Sequence, residues 1–334
     1  METNVVFRDM NLQKFSLLEK DSFKPLGRSK LYVVPPLGKG TIYAESLTSY
    51  IKRLADAHSV SVTLLLHNIV IPDNQSHIKH MHPYWREAMH SVNGSSSMAE
   101  QFVSMFEVEI LNKLIGMTLL PLDAIVGRSG RGTLHKNMTI CPLCINEMAE
   151  YHKIFIPLIW WLKVITCCPI HKTKLIDCCA SCHAKLTAVP NYTPLGYCPK
   201  CGAFLGEQGC DSHKKDKDAD EQEAIAKVAC ELILYLERRT FFRNLFLKGV
   251  EHAVYKFSRG NIADFEVSSG FPKTRVKQWL SGKNHPRLDD LIKLCVCHHI
   301  SLVALLSGII SNMEKVAIHT NIQDLLSTEG TFNR

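Results

Sequence analysis

CPLCINEMAEYHKIFIPLIWWLKVITCCPIHKTKLIDCCASCHAKLTAVPNYTPLGYCPKC, residues 141–201, decides how this chain is built. Four donor pairs of two-residue spacing follow one another in it: Cys141/Cys144, Cys168/His171, Cys179/Cys182 and Cys198/Cys201. The chain holds 13 cysteines in 334 residues, so random placement gives only about half of one C-x-x-C pair. The observed clustering therefore has a cause. This spacing lets both donors of a knuckle reach one ion. Proline after the first donor, at Pro142, Pro169 and Pro199, fixes φ in the tight turn. Zinc takes four nitrogen or sulfur donors, so two knuckles close its shell. The second set reads C-x2-C-x15-C-x2-C, a zinc spacing as it stands. The first reads C-x2-C-x23-C-x2-H, with a longer loop that holds a helix. The spacing predicts two structural zinc ions. Cys141, Cys144, Cys168 and His171 hold the first; Cys179, Cys182, Cys198 and Cys201 hold the second. An interleaved cross-brace uses the same eight residues, and spacing alone does not separate the two pairings.

The remaining cysteines read differently. Cys167 and Cys178 directly precede donors and are expected to be bystanders, though either could serve as an alternative ligand. Cys210/His213 lies in a charged stretch without a second knuckle, and Cys295/His298 lies on an apolar helical face; both are assigned to solvent or packing. An odd cysteine count argues against a closed disulfide framework. The start, METNVVFRDMNLQKF, has no basic region followed by an apolar run, so the chain reads as cytoplasmic. The longest apolar stretch, Ile154 to Ile165, is broken by Pro157 and Lys163 and is too short to span a bilayer, so no membrane partner is expected. The net charge of +7 permits an anionic partner without demanding one.

Eight donors for two ions leave no open coordination position of the kind catalytic zinc keeps. No H-E-x-x-H, no H-x-E ahead of P-C-x-x-C and no phosphate-binding G-x-x-x-x-G-K-[ST] loop occurs. No βαβ pattern surrounds the C-x-x-C pairs, which disfavours redox chemistry. The expectation is a protein that is not an enzyme.

Upstream, Leu47, Tyr50, Ile51 and Leu54 fall at i, i+3, i+4 and i+7 and predict one buried helix face. Lys52 and Arg53 are expected to point elsewhere, and Glu45 suits the positive end of the helix dipole. A short helix from Ser61 to Leu66 completes a helix-turn-helix-like pair; taken alone, it reads as a plain helical hairpin. The histidines of residues 77–90 lack regular donor spacing. A further helix carries Phe102, Met105, Phe106 and Val108 to Leu114. Arg128, Arg131, His135 and Lys136 form a basic approach to the first knuckle, read equally as a phosphate or acidic-protein contact and as a solvated loop. Trp160 and Trp161 are expected to pack the zinc module against the helical part.

Downstream, Ile225, Val228, Ala229, Leu232, Ile233 and Leu236 form a helical stripe. A helix at Ile262–Val267 then meets a Gly270 turn. The next helix is opened by Pro272, turns Val276 and Leu280 inward and stops at Gly282. Leu288, Leu291, Ile292 and Cys295 mark another buried face, and Ser301 caps a last helix through Leu306. Phe271 to Arg287 holds basic residues and no acidic one. This layout resembles the Cro/repressor type of helix-turn-helix, whose second helix enters the major groove. Lys273, Thr274 and Gln278 would face bases; Arg275, Lys277 and Lys283 would meet phosphates.

The fold class is thus mainly α with small zinc-knuckle or zinc-ribbon modules. The expected domains are an extension (1–30), a helical domain (31–136), tandem zinc modules (137–206), a charged linker (207–223), a helical domain with the Cro-like unit (224–312) and a tail (313–334).

The order of parts resembles the TniQ/TnsD family of transposon target-selection proteins. The residues that carry the resemblance are Glu45-Ser46-Leu47-x-Ser49-Tyr50-x-x-Arg53-Leu54-Ala55, CPLC, the Trp160-Trp161 segment, CPIH followed by Leu175, CASC and CPKC. The resemblance covers about residues 35–205. It implies a bacterial adaptor without catalysis. Such a protein marks an insertion site by binding target DNA or by docking on a CRISPR effector complex with its guide RNA. It then recruits an AAA+ ATPase regulator and, through it, the transposase; a homodimer is compatible with this role. The competing reading is a stand-alone zinc-containing helix-turn-helix transcription regulator.

Overall fold

The computed structural model describes residues 29–70, 85–128, 132–207, 219–237 and 241–312. The fold is mainly helical. Among the described residues there is no sheet, only isolated antiparallel bridges. Helix α1 is Leu47–Ala57, α2 is Val62–Leu64 (continued as a π turn, Leu65–Val70), α3 is Ser97–Ile110 and α4 is Pro142–Glu150. After the knuckles come α5 (Ala219–Leu236), α6 (Arg243–Ser258), α7 (Ile262–Ser268), α8 (Arg275–Leu280), α9 (Leu288–His298) and α10 (Leu302–Leu306). His77, His80, His82, Arg131, the Cys210/His213 pair and the tail lie outside the described residues.

Two apolar cores form. Helices α1 to α3 bury Leu47, Tyr50, Ile51 and Leu54 with Phe102, Met105 and Phe106. A second core runs from Leu37 and Tyr43 through the Trp160-Trp161 segment and the knuckles into α5 to α10. Trp160 and Trp161 are fully buried. Trp160 meets Tyr43 edge-on at 6.0 Å, and the Trp161 indole donates to Ser46 Oγ at 3.1 Å. The aromatic spacer thus joins the cysteine-knuckle segment to the amino end of α1.

Two local expectations, the end of α3 and the start of α8, need correction. Helix α3 stops at Ile110, because Leu111 turns left-handed at φ +51° and the run to Leu114 leaves the helix. Lys52, off the Leu47–Leu54 stripe, is nevertheless fully buried and pairs with Asp56, one turn on. Pro272 does not open α8, which starts at Arg275 after a left-handed Thr274 at φ +71°. Val276 and Leu280 turn inward as expected, Leu280 half-buried against the core, and Trp279, fully buried against Phe271, is the deep residue of α8.

Helices α6 and α10 cross closely at Gly249. A Cβ there would stand 2.1 Å from the Leu305 carbonyl oxygen. Gly249→Ala would gain about 1 kcal/mol of helix propensity, but backbone cannot yield as a side chain can, so the overlap dominates. We expect a net loss of about 1–3 kcal/mol, read as a lowered midpoint in thermal unfolding.

The carboxy-terminal helices also dock on the amino-terminal half. His285, after α8, donates through Nδ1 to the Ile125 carbonyl at 2.8 Å and covers Gly127 at 3.1 Å from its would-be Cβ. Arg243 holds the same loop through the Asn284 carbonyl at 3.2 Å. Lys39 pairs with Glu237 at the end of α5, 3.1 Å apart.

Candidate metal centres and nucleic-acid face

The knuckles are built by backbone. The carbonyls of Cys168, Cys179 and Cys198 accept from the amides of Lys172, His183 and Gly202 at 2.9, 2.8 and 2.9 Å. These three residues are left-handed, at φ +57°, +57° and +76°, a conformation that favours glycine. One residue before each first cysteine, Cys167, Cys178 and Tyr197 bridge to Lys174, Lys185 and Phe204. In such a tiny hairpin neighbouring side chains point to opposite faces, so Cys167 and Cys178 fall outside both clusters. The remaining knuckle is different. Cys141 is the N-cap of α4, Pro142 its first residue, and Cys144 projects from its first turn.

The structure gathers the eight residues into two groups in sequential pairing. In each group the donor atoms lie within 4.8 Å of one another. In the first, His171 Nδ1 lies 3.5, 3.2 and 3.7 Å from the sulfurs of Cys141, Cys144 and Cys168, and the Cys144 and Cys168 sulfurs are 3.5 Å apart. In the second, Cys179 and Cys201 are 3.7 Å apart and Cys182 and Cys198 3.6 Å. A tetrahedron with metal–sulfur bonds of about 2.3 Å has corners about 3.8 Å apart, so both donor sets fit one ion of this kind. The first group sits in the core. The second reaches the surface, with Cys201 exposed.

Surrounding groups orient the first set. Glu147 Oε1 accepts from His171 Nε2 at 3.0 Å, which leaves Nδ1 facing the sulfurs. Tyr43 Oη lies 3.3 Å from the Cys168 sulfur and Thr173 Oγ1 lies 3.5 Å from that of Cys141. Burial, together with the facing sulfurs, pushes the Tyr43 phenol well above its usual range, so it remains a donor. Glu147 follows Cys144 by three residues on a helix, a spacing that places both on one face. That was the available signal for it; Tyr43 gave none.

The amino-terminal motif proves to be an interlock. Glu45 is buried and accepts from Leu37 N at 3.1 Å, Ser49 Oγ at 2.7 Å and Arg53 Nη1 at 2.6 Å. Burial raises its carboxyl above the ordinary value; Arg53 first, then the hydrogen bonds, counter the rise. Ser46 Oγ donates to the Ile156 carbonyl at 2.8 Å, and Ser49 Oγ accepts from Ile156 N at 3.0 Å. The motif ties α1 to the strand-like segment ahead of the tryptophans.

Of the basic approach, Arg128 is held by Glu100 at 2.8 Å and His135 faces the Ile165 carbonyl at 3.4 Å. The Cys295/His298 pair packs: Cys295 is fully buried, and His298 stacks on Phe265 and meets Ser269 Oγ at 2.8 Å.

Around α8, Lys273, Thr274, Lys277 and Lys283 are exposed, while Arg275 and Gln278 are half-buried. Gln278 Oε1 accepts from Asn284 Nδ2 at 2.6 Å, and its Nε2 faces Thr274 Oγ1 at 3.4 Å. Asn284 was not expected at this face. Glu266 of α7, also unanticipated, is buried. Its carboxylate accepts from the amides of Thr274, Val276 and Lys277 at 2.7, 2.8 and 3.2 Å.

A mainly helical protein with two Cys/His clusters built into its frame is the class these features define. Residues 36–175 match the model of the TniQ family. Over that stretch the chain carries a TniQ domain, which at family level supports a transposition-associated adaptor. No curated protein matches it. Among the described residues no helix is long and apolar enough to cross a membrane.

Proposed function

We propose that this protein selects target sites for a transposon built from several proteins. In this reading it links target DNA, or an RNA-guided CRISPR effector, to an AAA+ ATPase regulator and so to the transposase. The observation that carries the reading is the family match over residues 36–175, supported by a framework whose polar motif residues are spent on internal contacts. Each Cys/His cluster holds one zinc ion, whose contribution is to fix the chain. The cysteines, as thiolates, and His171, through Nδ1, saturate it. We expect two zinc ions per chain by metal analysis, with all-Cys/His coordination by X-ray absorption; an oxygen-ligated, open site in the purified protein would contradict this.

An AAA+ regulator of the same transposon should co-purify with this chain, and transposition should require both. Failure to associate with that regulator, together with repression of a nearby promoter, would favour the transcription-regulator reading instead.

The exposed face of α8 contacts nucleic acid through Lys273, Thr274, Arg275, Lys277, Gln278 and Lys283. Lys273→Ala and Lys277→Ala should each weaken binding and lower the slope of log K against log salt by about one. Unchanged slopes in both variants, measured by fluorescence anisotropy on duplex DNA, would remove the face from nucleic-acid binding.

A further inference from the structure

The amino end of α8 is occupied by a protein carboxylate. Glu266 comes from the preceding helix, is 4% exposed, and takes three amides of the turn and first residues of α8 at 2.7, 2.8 and 3.2 Å. These are amides that a short helix otherwise leaves without intrahelical partners. Thr274 has no side-chain capping bond of its own and sits at φ +71°, a left-handed conformation that costs a residue with a Cβ about 1–2 kcal/mol. Something must hold it there, and Glu266 bonds its amide directly. Lys273 and Lys277, on either side of Thr274, are exposed cations of this face, and Gln278 lies one turn further on.

We infer that Glu266 is a positioning residue for nucleic-acid readout: it sets the direction in which Lys273, Thr274 and Gln278 leave the turn. This rests on the proposal that α8 meets duplex DNA. Two physical consequences separate it from a general stability role. Phosphate attraction depends on the number of cations near the backbone, and flexible lysines keep that number. Base discrimination depends on side chains arriving at fixed places in the groove. Loss of the clamp should therefore remove discrimination and spare the salt slope.

The test uses the full-length chain and a random-sequence duplex library taken through rounds of binding selection. Wild type should enrich a motif. Glu266→Gln keeps the shape but turns an amide NH2 toward backbone donors. Its preference for the enriched motif over random duplex should fall about tenfold or more, with a salt slope equal to that of wild type. Glu266→Asp keeps the charge, withdraws it by one methylene and should also lose discrimination; it serves if the Gln variant does not fold. Folding is followed by the fluorescence of buried Trp279 among the other tryptophans and by thermal unfolding. Folded variants with undiminished discrimination overturn the inference, as does failure of both variants to fold, which makes Glu266 a stability residue only. Absence of any duplex binding by wild type instead overturns the underlying proposal for α8.

Discussion

Cys141→Ser should abolish the folded state. In the proposed reading the first cluster holds a zinc ion, and such an ion is worth about 10–16 kcal/mol in small zinc domains, whereas a whole domain is stable by about 5–15 kcal/mol. Losing a thiolate therefore consumes the entire margin. Location sharpens the effect. Cys141, Cys144 and Cys168 lie in the core that continues into α5 to α10, and Tyr43 and Thr173 are arranged around their sulfurs. Without metal these buried thiols become an unfilled polar nest at the centre of the molecule. Cys201→Ser is the informative partner. Its cluster reaches the surface, so that variant should lose one zinc yet retain cooperative unfolding of the helices. Zinc content and thermal unfolding by circular dichroism check both. A Cys141→Ser protein with two bound zincs and an unchanged midpoint would remove the structural role assigned to the first cluster.

Glu45→Ala is the second large effect, at about 3–5 kcal/mol. The change strips Arg53 of its carboxylate, 2.6 Å away, and leaves the buried Leu37 amide and Ser49 hydroxyl without their acceptor. The cost lies mainly in those abandoned partners, since forming the buried pair already carried a desolvation penalty. Glu45→Gln keeps an acceptor and should cost less than Glu45→Ala. Arg128→Ala breaks an ion pair in which both side chains are at least half exposed and should cost under about 1 kcal/mol. Urea unfolding of the three variants gives the order directly. Equal midpoints for Glu45→Ala and Arg128→Ala would mean that the motif is not an interlock.

What the sequence disclosed follows from the range over which each feature acts. The knuckles were legible because both donors of a pair, and the turn between them, lie within a few residues. The buried stripe of α1, Leu47 to Leu54, was legible because helical period is local too. The choice between sequential and interleaved pairing was not, since it depends on how separate knuckles stack. Glu45, Ser46, Ser49 and Arg53 stood out as a pattern, but the partners of Ser46 and Ser49 at Ile156 and Trp161 lie about a hundred residues on. Glu266 was missed because charge signals exposure, whereas this carboxylate is buried and meets its partners inside the fold. The start of α8 was misplaced because Pro272 suits a first helical position, while the turn at Thr274 is dictated by Glu266 from another helix.

The docking of His285 on Ile125, with Arg243 beside it and Lys39 paired to Glu237, acquires a meaning in the proposed role. An adaptor joined by loose tethers would report that a target has been found without saying where its ends lie. Here the loop that follows α8 is latched to the segment matched by the family, so in that role a face that meets DNA and a body that meets the recruited machinery would share one frame of reference. The chain would then work as a jig: the offset and the rotational phase between the marked site and the point of insertion would be properties of its own geometry.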